Sequence, residues 1–193
     1  MTGLLLLLFA IVHMLGHLQV FGGQAMYNAY AKFLQDLWEV KWPVRVGLLA
    51  LLMLHVMLAI ALVAKNKAAR SVSYAVYRPV RSSIVGRSMT ISGLVVLAFL
   101  IFHIFHFTIS PAYPHDAYTR YVTAFHDPLY YAVYLIGMLL LSLHLGHGAS
   151  SWMQSLGWRH PKYPADKLGP IVSIGLFVGY MLPPTAILLR VVS

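Results

Sequence analysis

Two pairs of histidines recur at nearly the same interval along the chain. His13 precedes His103 by 90 residues, and the interval between His55 and His144 is 89 residues. The surrounding sequences also match, MTGLLLLLFAIVHMLGH with MTISGLVVLAFLIFHIFH and GLLALLMLH with GMLLLSLH. We interpret this as a repeat of two consecutive helices in the same orientation. Because one helix pair cannot close a core alone, two copies predict a four-helix bundle.

Histidine within an apolar segment is costly to bury and tends to be functional. The chain contains no cysteine, which excludes thiolate zinc sites, iron–sulfur clusters and c-type haem attachment within it. One interpretation is that each histidine only hydrogen-bonds a neighbouring helix. The other is that paired neutral imidazoles hold the iron of two b-type haems. No methionine recurs at the repeat interval, so methionine ligation is not expected.

Distance along the helices predicts which histidines share a level in the membrane. With a rise of about 1.5 Å per residue, His13 and His103 lie near the outer ends of their helices. His55 and His144 lie near the inner ends. Each level is expected about 10 Å below its own face of an apolar core about 30 Å thick. We therefore predict an outer pair, His13 with His103, and an inner pair, His55 with His144.

Further residues near these histidines are candidates for cofactor contact. Three histidines lie one turn nearer the membrane surface and are expected to contact haem propionates or a quinone, with replacement of the neighbouring ligand as the alternative: His17, His106 and His147. Four glycines are candidates for helix faces that a porphyrin edge approaches: Gly16, Gly47, Gly93 and Gly137. The alternative for the glycines is close helix packing.

The composition predicts an all-α integral membrane protein. Of 193 residues, 60% are hydrophobic and 10% are charged, against about 45–50% and 25% in soluble domains. Five windows satisfy the requirement of about 20 apolar residues for a transmembrane helix: Met1–Phe21, Val44–Ala64, Met89–Thr108, Tyr130–Trp152 and Pro170–Leu189. We expect one transmembrane domain over residues 1–193, with a fifth helix beside the four-helix bundle. The fifth window contains Pro183 and Pro184, which predict a kink or break near its outer end.

The charges predict the orientation in the membrane. The segment from Lys65 to Arg87 holds six basic residues and no acid, and the segment from Met153 to Gly169 holds three basic residues and one acid. Basic loops remain in the cytoplasm, so the N terminus is predicted to be cytoplasmic. The net charge of +9 is therefore attributed to membrane anchoring and not to nucleic-acid binding. In the first outer loop, residues 25–37 are expected to form a short surface helix or an ordered loop.

Four segments resemble a known family: TGLLLLLFAIVHMLGHLQVF, YNAYAKFL with VRVGLLALLMLHVMLAI, RSMTISGLVVLAFLIFHIFHF, and YLIGMLLLSLHLGHGASSWMQSLG. The chain resembles the single-chain, five-helix, two-haem cytochrome b membrane subunit of succinate:quinone oxidoreductases, which are succinate dehydrogenases or fumarate reductases (respiratory complex II). The resemblance implies that His13, His55, His103 and His144 are the axial ligands of two haems b, with the pairing given above. Members usually carry a basic cytoplasmic leader before the TGLLL segment, whereas this sequence starts at Met1 within it; a misassigned start codon and an absent leader are both open.

The same resemblance implies a role and partners. The chain would anchor a flavoprotein subunit and an iron–sulfur subunit, which carry FAD and the clusters, on the cytoplasmic face of a bacterial inner membrane. It would itself bind no dicarboxylate and would exchange electrons with quinone, expected to be menaquinone. The resemblance leaves open the direction of turnover. It also leaves open the oligomeric state, including whether the chain forms a higher oligomer.

Two cytoplasmic sites are predicted. Ser82, Ser83 and Arg87 precede the third span, where a serine and an arginine approach the quinone in related anchors; an ordinary helix cap with a membrane anchor is the alternative. Contact with the iron–sulfur subunit is expected at the basic loops. The candidate anchors are Arg78, Arg81 and Trp158, with lipid headgroup contact as the alternative.

Two other classes of protein fit parts of the pattern. A cytochrome b subunit of a hydrogenase, formate dehydrogenase or nitrate reductase would also use histidine pairs on helices. A histidine-lined metal or proton transporter would need a polar path, and the spans contain almost no acidic residues.

Overall fold

The computed structural model describes residues 1–69, 84–110, 116–157 and 165–192. Within these ranges the regular structure is helical. The elements in chain order are α1 (Thr2–His17), a 3-10 turn (Leu18–Gly22), α2 (Gly23–Asp36), α3 (Trp38–Ala68), α4 (Ile84–Arg87), α5 (Met89–Ile104), a π-helical turn (Phe105–Ile109), α6 (Ala117–His126), α7 (Pro128–Ser155) and α8 (Ala165–Leu188).

In the part of the chain that the structure describes, five stretches of helix are long and apolar enough to cross a membrane. They are Thr2–Asp36, Trp38–Ala68, Met89–Ile109, Pro128–Met153 and Lys167–Leu188. This confirms the predicted all-helical class and indicates a multi-pass membrane protein. The second helix begins earlier than expected, at Trp38, and includes Pro43. Pro43 lies beyond the first four residues of α3, so the helix lacks the bond that an N–H at this position would make to the Glu39 carbonyl oxygen.

The fifth long helix does not break at its proline pair. Helix α8 continues through Pro183 and Pro184 to Leu188, so it does not break there, and the alternative of a kink stays a prediction. The fixed φ of proline is compatible with helical backbone, and the backbone bonds that are lost lie in the last turns. Pro183 is fully buried, so packing stabilises the helix at this point.

Helices α7 and α8 pack closely through small residues. A Cβ atom added to Gly146 would meet the Ser173 hydroxyl and would lie 2.6 Å from the carbonyl oxygen of Gly169. The Ser173 hydroxyl donates a hydrogen bond of 2.9 Å to the carbonyl oxygen of Ser142. Small residues let helix backbones approach in a membrane, where association depends on van der Waals contact and interhelical hydrogen bonds.

The fifth long helix belongs to the core, whereas the second long helix lies at the edge of the helix assembly. None of the residues of α3 is buried. By contrast, α8 buries Leu176, Met181 and Ile187. Its Tyr180 hydroxyl donates a 2.6 Å hydrogen bond to the carbonyl oxygen of Ala10, which joins α8 to α1. The sequence predicted a four-helix bundle with a fifth helix beside it. In the structure, the fifth long helix packs in the core and the second long helix lies at the edge.

Two amphipathic helices cover one end of the assembly. The helix predicted over residues 25–37 is observed as α2, whereas α6 was not predicted. Asp116 caps α6 by accepting hydrogen bonds from the Thr119 backbone N–H (2.9 Å) and hydroxyl. The side chain of Gln24 donates to Asp116 at 3.3 Å, and Asn28 accepts from the Tyr118 backbone N–H at 2.9 Å. These bonds fix α6 against α2.

Candidate functional site

The structure brings His55 of α3 and His144 of α7 together. Their ring centroids lie 6.4 Å apart, with the rings nearly perpendicular at 82°. Both side chains are half-buried. The two residues expected to share the inner level are therefore adjacent in space, and we call them the inner pair.

Each histidine of the inner pair contacts a hydroxyl at the start of a neighbouring helix. Thr2 Oγ1 lies 3.1 Å from Nδ1 of His55, and Ser92 Oγ lies 3.4 Å from Nδ1 of His144. Thr2 and Ser92 were not identified from the sequence as candidate site residues. They lie 90 residues apart, so the repeat interval was the signal that could have found them.

A glycine follows each of these hydroxyl residues and faces the same ring. A Cβ atom at Gly93 would lie 3.2 Å from Cε1 of His144. The equivalent distance from Gly3 to His55 is 3.6 Å. The hydroxyl–glycine dipeptide therefore forms the surface against which each inner imidazole lies.

The structure also brings His13 of α1 and His103 of α5 together, and we call them the outer pair. Their ring centroids lie 6.0 Å apart at an angle of 81°. Nδ1 of His103 lies 3.2 Å from the Tyr134 hydroxyl. Nε2 of His13, however, lies 3.2 Å from Nε2 of His17. His13 thus presents this nitrogen to its neighbour on α1.

Aromatic side chains surround His17. The Tyr27 hydroxyl lies 3.3 Å from Nδ1 of His17, and the Tyr121 ring stacks on the imidazole with centroids 5.0 Å apart. Tyr27 belongs to α2 and Tyr121 to α6, so the two amphipathic helices cover the outer pair. This placement explains why loop segments between spans are rich in tyrosine here.

His106 lies in the π-helical turn and is buried. The Tyr134 hydroxyl, which contacts His103, is also 3.1 Å from Nδ1 of His106. The ring of Tyr130 stacks on His106 with centroids 4.2 Å apart. Tyr134 therefore connects two of the predicted site residues. His147 is half-buried on α7, one turn beyond His144.

The four candidate glycines separate into two groups. A Cβ atom at Gly16 would lie 2.8 Å from the Tyr30 hydroxyl, and one at Gly137 would meet the Phe99 ring. These two positions therefore serve helix packing. Gly93 faces His144, and Gly47 has nothing within 4 Å. Only the last two remain candidates for the approach of a cofactor.

Several predicted residues lie outside the described ranges. They are Ser82 and Ser83 of the quinone prediction and Arg78, Arg81 and Trp158 of the docking prediction. Arg87 is described, is exposed and ends α4.

The donor set fits a haem better than a bare metal ion. In the described part of the chain, no group of three or more histidine, aspartate or glutamate side chains could hold a metal ion. Haem iron needs only axial ligands from the protein. Two imidazoles that bound one metal ion from opposite sides would be separated by two nitrogen–metal bonds of about 2 Å each and by the distance from each nitrogen to its ring centroid. The centroids would then lie about 6 Å apart. The inner pair, at 6.4 Å, and the outer pair, at 6.0 Å, are compatible with this spacing, which ordinary aromatic contacts of about 4.5–7 Å also span.

The two pairs differ in how directly they fit. In the inner pair the observed contacts of both rings are made by Nδ1, which leaves Nε2 for a metal. In the outer pair His13 must turn its Nε2 away from His17 before it can ligate iron through that atom. Replacement of His13 by His17 as the outer ligand therefore stays open.

A scan against protein-family models returns no match, and searches of curated proteins and of solved structures return none either.

Proposed function

We propose that this chain is the membrane-anchor cytochrome b subunit of a succinate dehydrogenase or fumarate reductase, carrying two haems b and transferring electrons between an iron–sulfur subunit and quinone, with menaquinone as the expected species. The observation that carries the proposal is the meeting of two histidine pairs at the spacing of bis-imidazole ligation. The resemblance of four segments to that subunit supplies the identity of the complex.

The residues would act as follows. His55 and His144 ligate the inner haem, and His13 and His103 ligate the outer haem. The bound haem supplies a one-electron carrier whose potential the protein sets through ligands, hydrogen bonds and burial. Tyr134 orients His103 through its Nδ1 contact at 3.2 Å. Thr2 and Ser92 contact the inner ligands in the same way.

The spacing of the two levels supports electron transfer across the membrane. Thr2 contacts His55, and His13 follows eleven residues later on the same helix. Ser92, which contacts His144, also precedes His103 by eleven residues. With a rise of about 1.5 Å per residue, the inner and outer pairs are about 16 Å apart along the helices.

The partners follow from the resemblance. A flavoprotein subunit with FAD and an iron–sulfur subunit would dock at the cytoplasmic face, near the inner pair. The basic end of α3, with Lys65 and Lys67, points to that face by the positive-inside rule. Ser82, Ser83 and Arg87 remain the candidates for contact with quinone.

Two alternatives have distinct signatures. A cytochrome b of a hydrogenase, formate dehydrogenase or nitrate reductase would show b-type spectra that succinate does not reduce in the assembled complex. A metal or proton transporter would show no b-type spectrum. The lack of a three-residue metal group in the described ranges gives the transporter no support.

The test is a set of four His→Leu variants, read by reduced-minus-oxidised spectra. His55→Leu and His144→Leu should remove one b component, and His13→Leu and His103→Leu the other. His126→Leu, at an exposed position, is the control and should retain both components. Loss of the same component in His144→Leu and His13→Leu would contradict the pairing. Loss of the outer component in His17→Leu, with its retention in His13→Leu, would make His17 the ligand.

A further inference from the structure

We infer that Thr2 and Ser92 are positioning residues, which hold the inner imidazoles with the proton on Nδ1 and so present Nε2 to the haem iron. The inference rests on the proposed haem function and goes beyond the ligand assignment. Neither residue would touch the metal. Each would act through the histidine that it contacts, His55 or His144.

The hydrogen bonds of Ser92 determine the direction of its contact. Its hydroxyl donates to the carbonyl oxygen of Met89 at 3.1 Å. A hydroxyl has one hydrogen to donate, so the same oxygen must accept at its second contact. We therefore assign His144 Nδ1, at 3.4 Å, as the donor. A neutral imidazole with its proton on Nδ1 has its lone pair on Nε2, the atom that can bind iron.

The repeat provides the same arrangement a second time. Thr2 and Ser92 are 90 residues apart, and so are Gly3 and Gly93, the glycines that face the two rings. A side chain in place of Gly93 would press on the imidazole of His144, and one in place of Gly3 would be in ordinary contact with that of His55. Recurrence of a hydroxyl and a glycine, on two helices and against two histidines, indicates a shared purpose for both copies.

The outer pair is built differently. Tyr134 shares one hydroxyl between His103 and His106, and His13 contacts His17 instead of a hydroxyl. Each inner ligand contacts a hydroxyl of its own. A hydrogen bond that Nδ1 donates makes an imidazole a more basic ligand. We therefore expect Thr2 and Ser92 to lower the potential of the inner haem and not that of the outer haem.

The experiment compares removal of each hydroxyl with its conservative replacement. The variants are Ser92→Ala and Thr2→Val, with Ser92→Thr and Thr2→Ser as rescues. Ser151→Ala removes an exposed hydroxyl from α7 and serves as the control. One readout is the ¹⁵N shift of the His55 and His144 side chains in the purified, reduced full chain. The other is a redox titration that resolves the two haems.

Ser92→Ala should move the ¹⁵N shifts of His144 and raise the potential of the inner haem, while the outer haem stays at its wild-type potential. The affinity of the inner site for haem should fall about 10- to 100-fold, as it does when other hydrogen-bond partners of metal ligands are removed. Ser92→Thr should restore all three values. Thr2→Val and Thr2→Ser should act likewise on His55.

The outcomes separate the inference from the function. If the wild-type chain holds two haems b, and both hydroxyl removals leave the ¹⁵N shifts and inner potential unchanged, the positioning role is wrong and the function stands. If the wild-type chain holds no haem b, the proposed function fails. The ¹⁵N shifts would still show in that case whether Thr2 and Ser92 set the tautomer.

Discussion

The Cβ position of Gly93 lies 3.2 Å from Cε1 of His144, which is tighter than an ordinary van der Waals contact. An added methyl group there would press directly on the imidazole. At Gly3, the equivalent position in the first repeat, the distance to Cε1 of His55 is 3.6 Å and leaves room for a methyl group.

Gly93→Ala should therefore displace the His144 ring, whereas Gly3→Ala should be tolerated. Overpacking of this kind costs about 1–3 kcal/mol. We expect Gly93→Ala to lower the amplitude of the inner b component per chain in optical spectra, and Gly3→Ala to retain it. Gly47→Ala is the control, because no atom lies within 4 Å of its added Cβ. Equal amplitudes in Gly93→Ala and Gly47→Ala would count against the contact.

Gly146 should be essential for the packing of α7 on α8. A Cβ atom there would meet the Ser173 hydroxyl and the Gly169 carbonyl oxygen. Gly146→Val should destabilise the helix pair by about 1–3 kcal/mol or more, seen as a lower Tm in detergent. Gly148→Val, two residues away, is the matched control, because a Cβ atom added there would meet nothing within 4 Å. A similar loss of Tm in both variants would show that helix propensity, not contact, dominates.

The charged carboxylate of Asp116 should stabilise α6 and its contact with α2, and this stabilisation should depend on pH. Partial desolvation raises its pKa, but hydrogen bonds from Thr119, Gln24 and Asn28 outweigh that effect and hold the pKa below its usual 3.8. A lowered pKa stabilises the fold above the unfolded-state value, and this contribution is lost as the pH falls through the folded-state pKa.

Asp116→Ala should cost about 1 kcal/mol at neutral pH, because the cap of α6 is lost. The difference in Tm from the wild type should shrink when the pH falls below 3.8, the usual pKa of aspartate. Asp116→Asn keeps a good cap without the charge and serves as the control. A difference between wild type and Asp116→Ala that does not change with pH would exclude the charged form as its source.

The orientation can be tested with single cysteines, since the chain has none of its own. Lys67 lies in the last turn of α3 and Thr123 lies on α6, and both are exposed. Lys67→Cys should react with a membrane-impermeant maleimide only after cells are opened, and Thr123→Cys in intact cells. Reaction of both from the same side would contradict the predicted topology.

Much of the fold follows from the sequence because apolar length determines a span. The proximity of His13 to His103 and of His55 to His144 could be predicted because the repeat fixes the position of each histidine along its helix. Rotation about the helix axis is not fixed in this way, so the contacts of Thr2 and Ser92 with the inner pair became visible only in the structure. The same holds for Tyr134, whose hydroxyl contacts two histidines.

Two features of the fold were missed for different reasons. Helix α6 carries a sequence signal, a capping aspartate at Asp116 with Tyr118 and Tyr121 at helical spacing after it. The alternative of a break at Pro183 and Pro184 was wrong because burial of the proline ring is a tertiary effect.

The stoichiometry of haem in the purified chain, measured as the pyridine haemochrome against protein concentration, decides whether both histidine pairs bind the same cofactor. Ligation by the inner and the outer pair predicts two haems b for each chain, and two resolved components in the reduced spectrum. One haem per chain would mean that either the outer pair, with ring centroids 6.0 Å apart, or the inner pair, at 6.4 Å, has only a structural role. If the chain, purified together with its flavoprotein and iron–sulfur subunits, contained no haem b, the proposed function would be wrong.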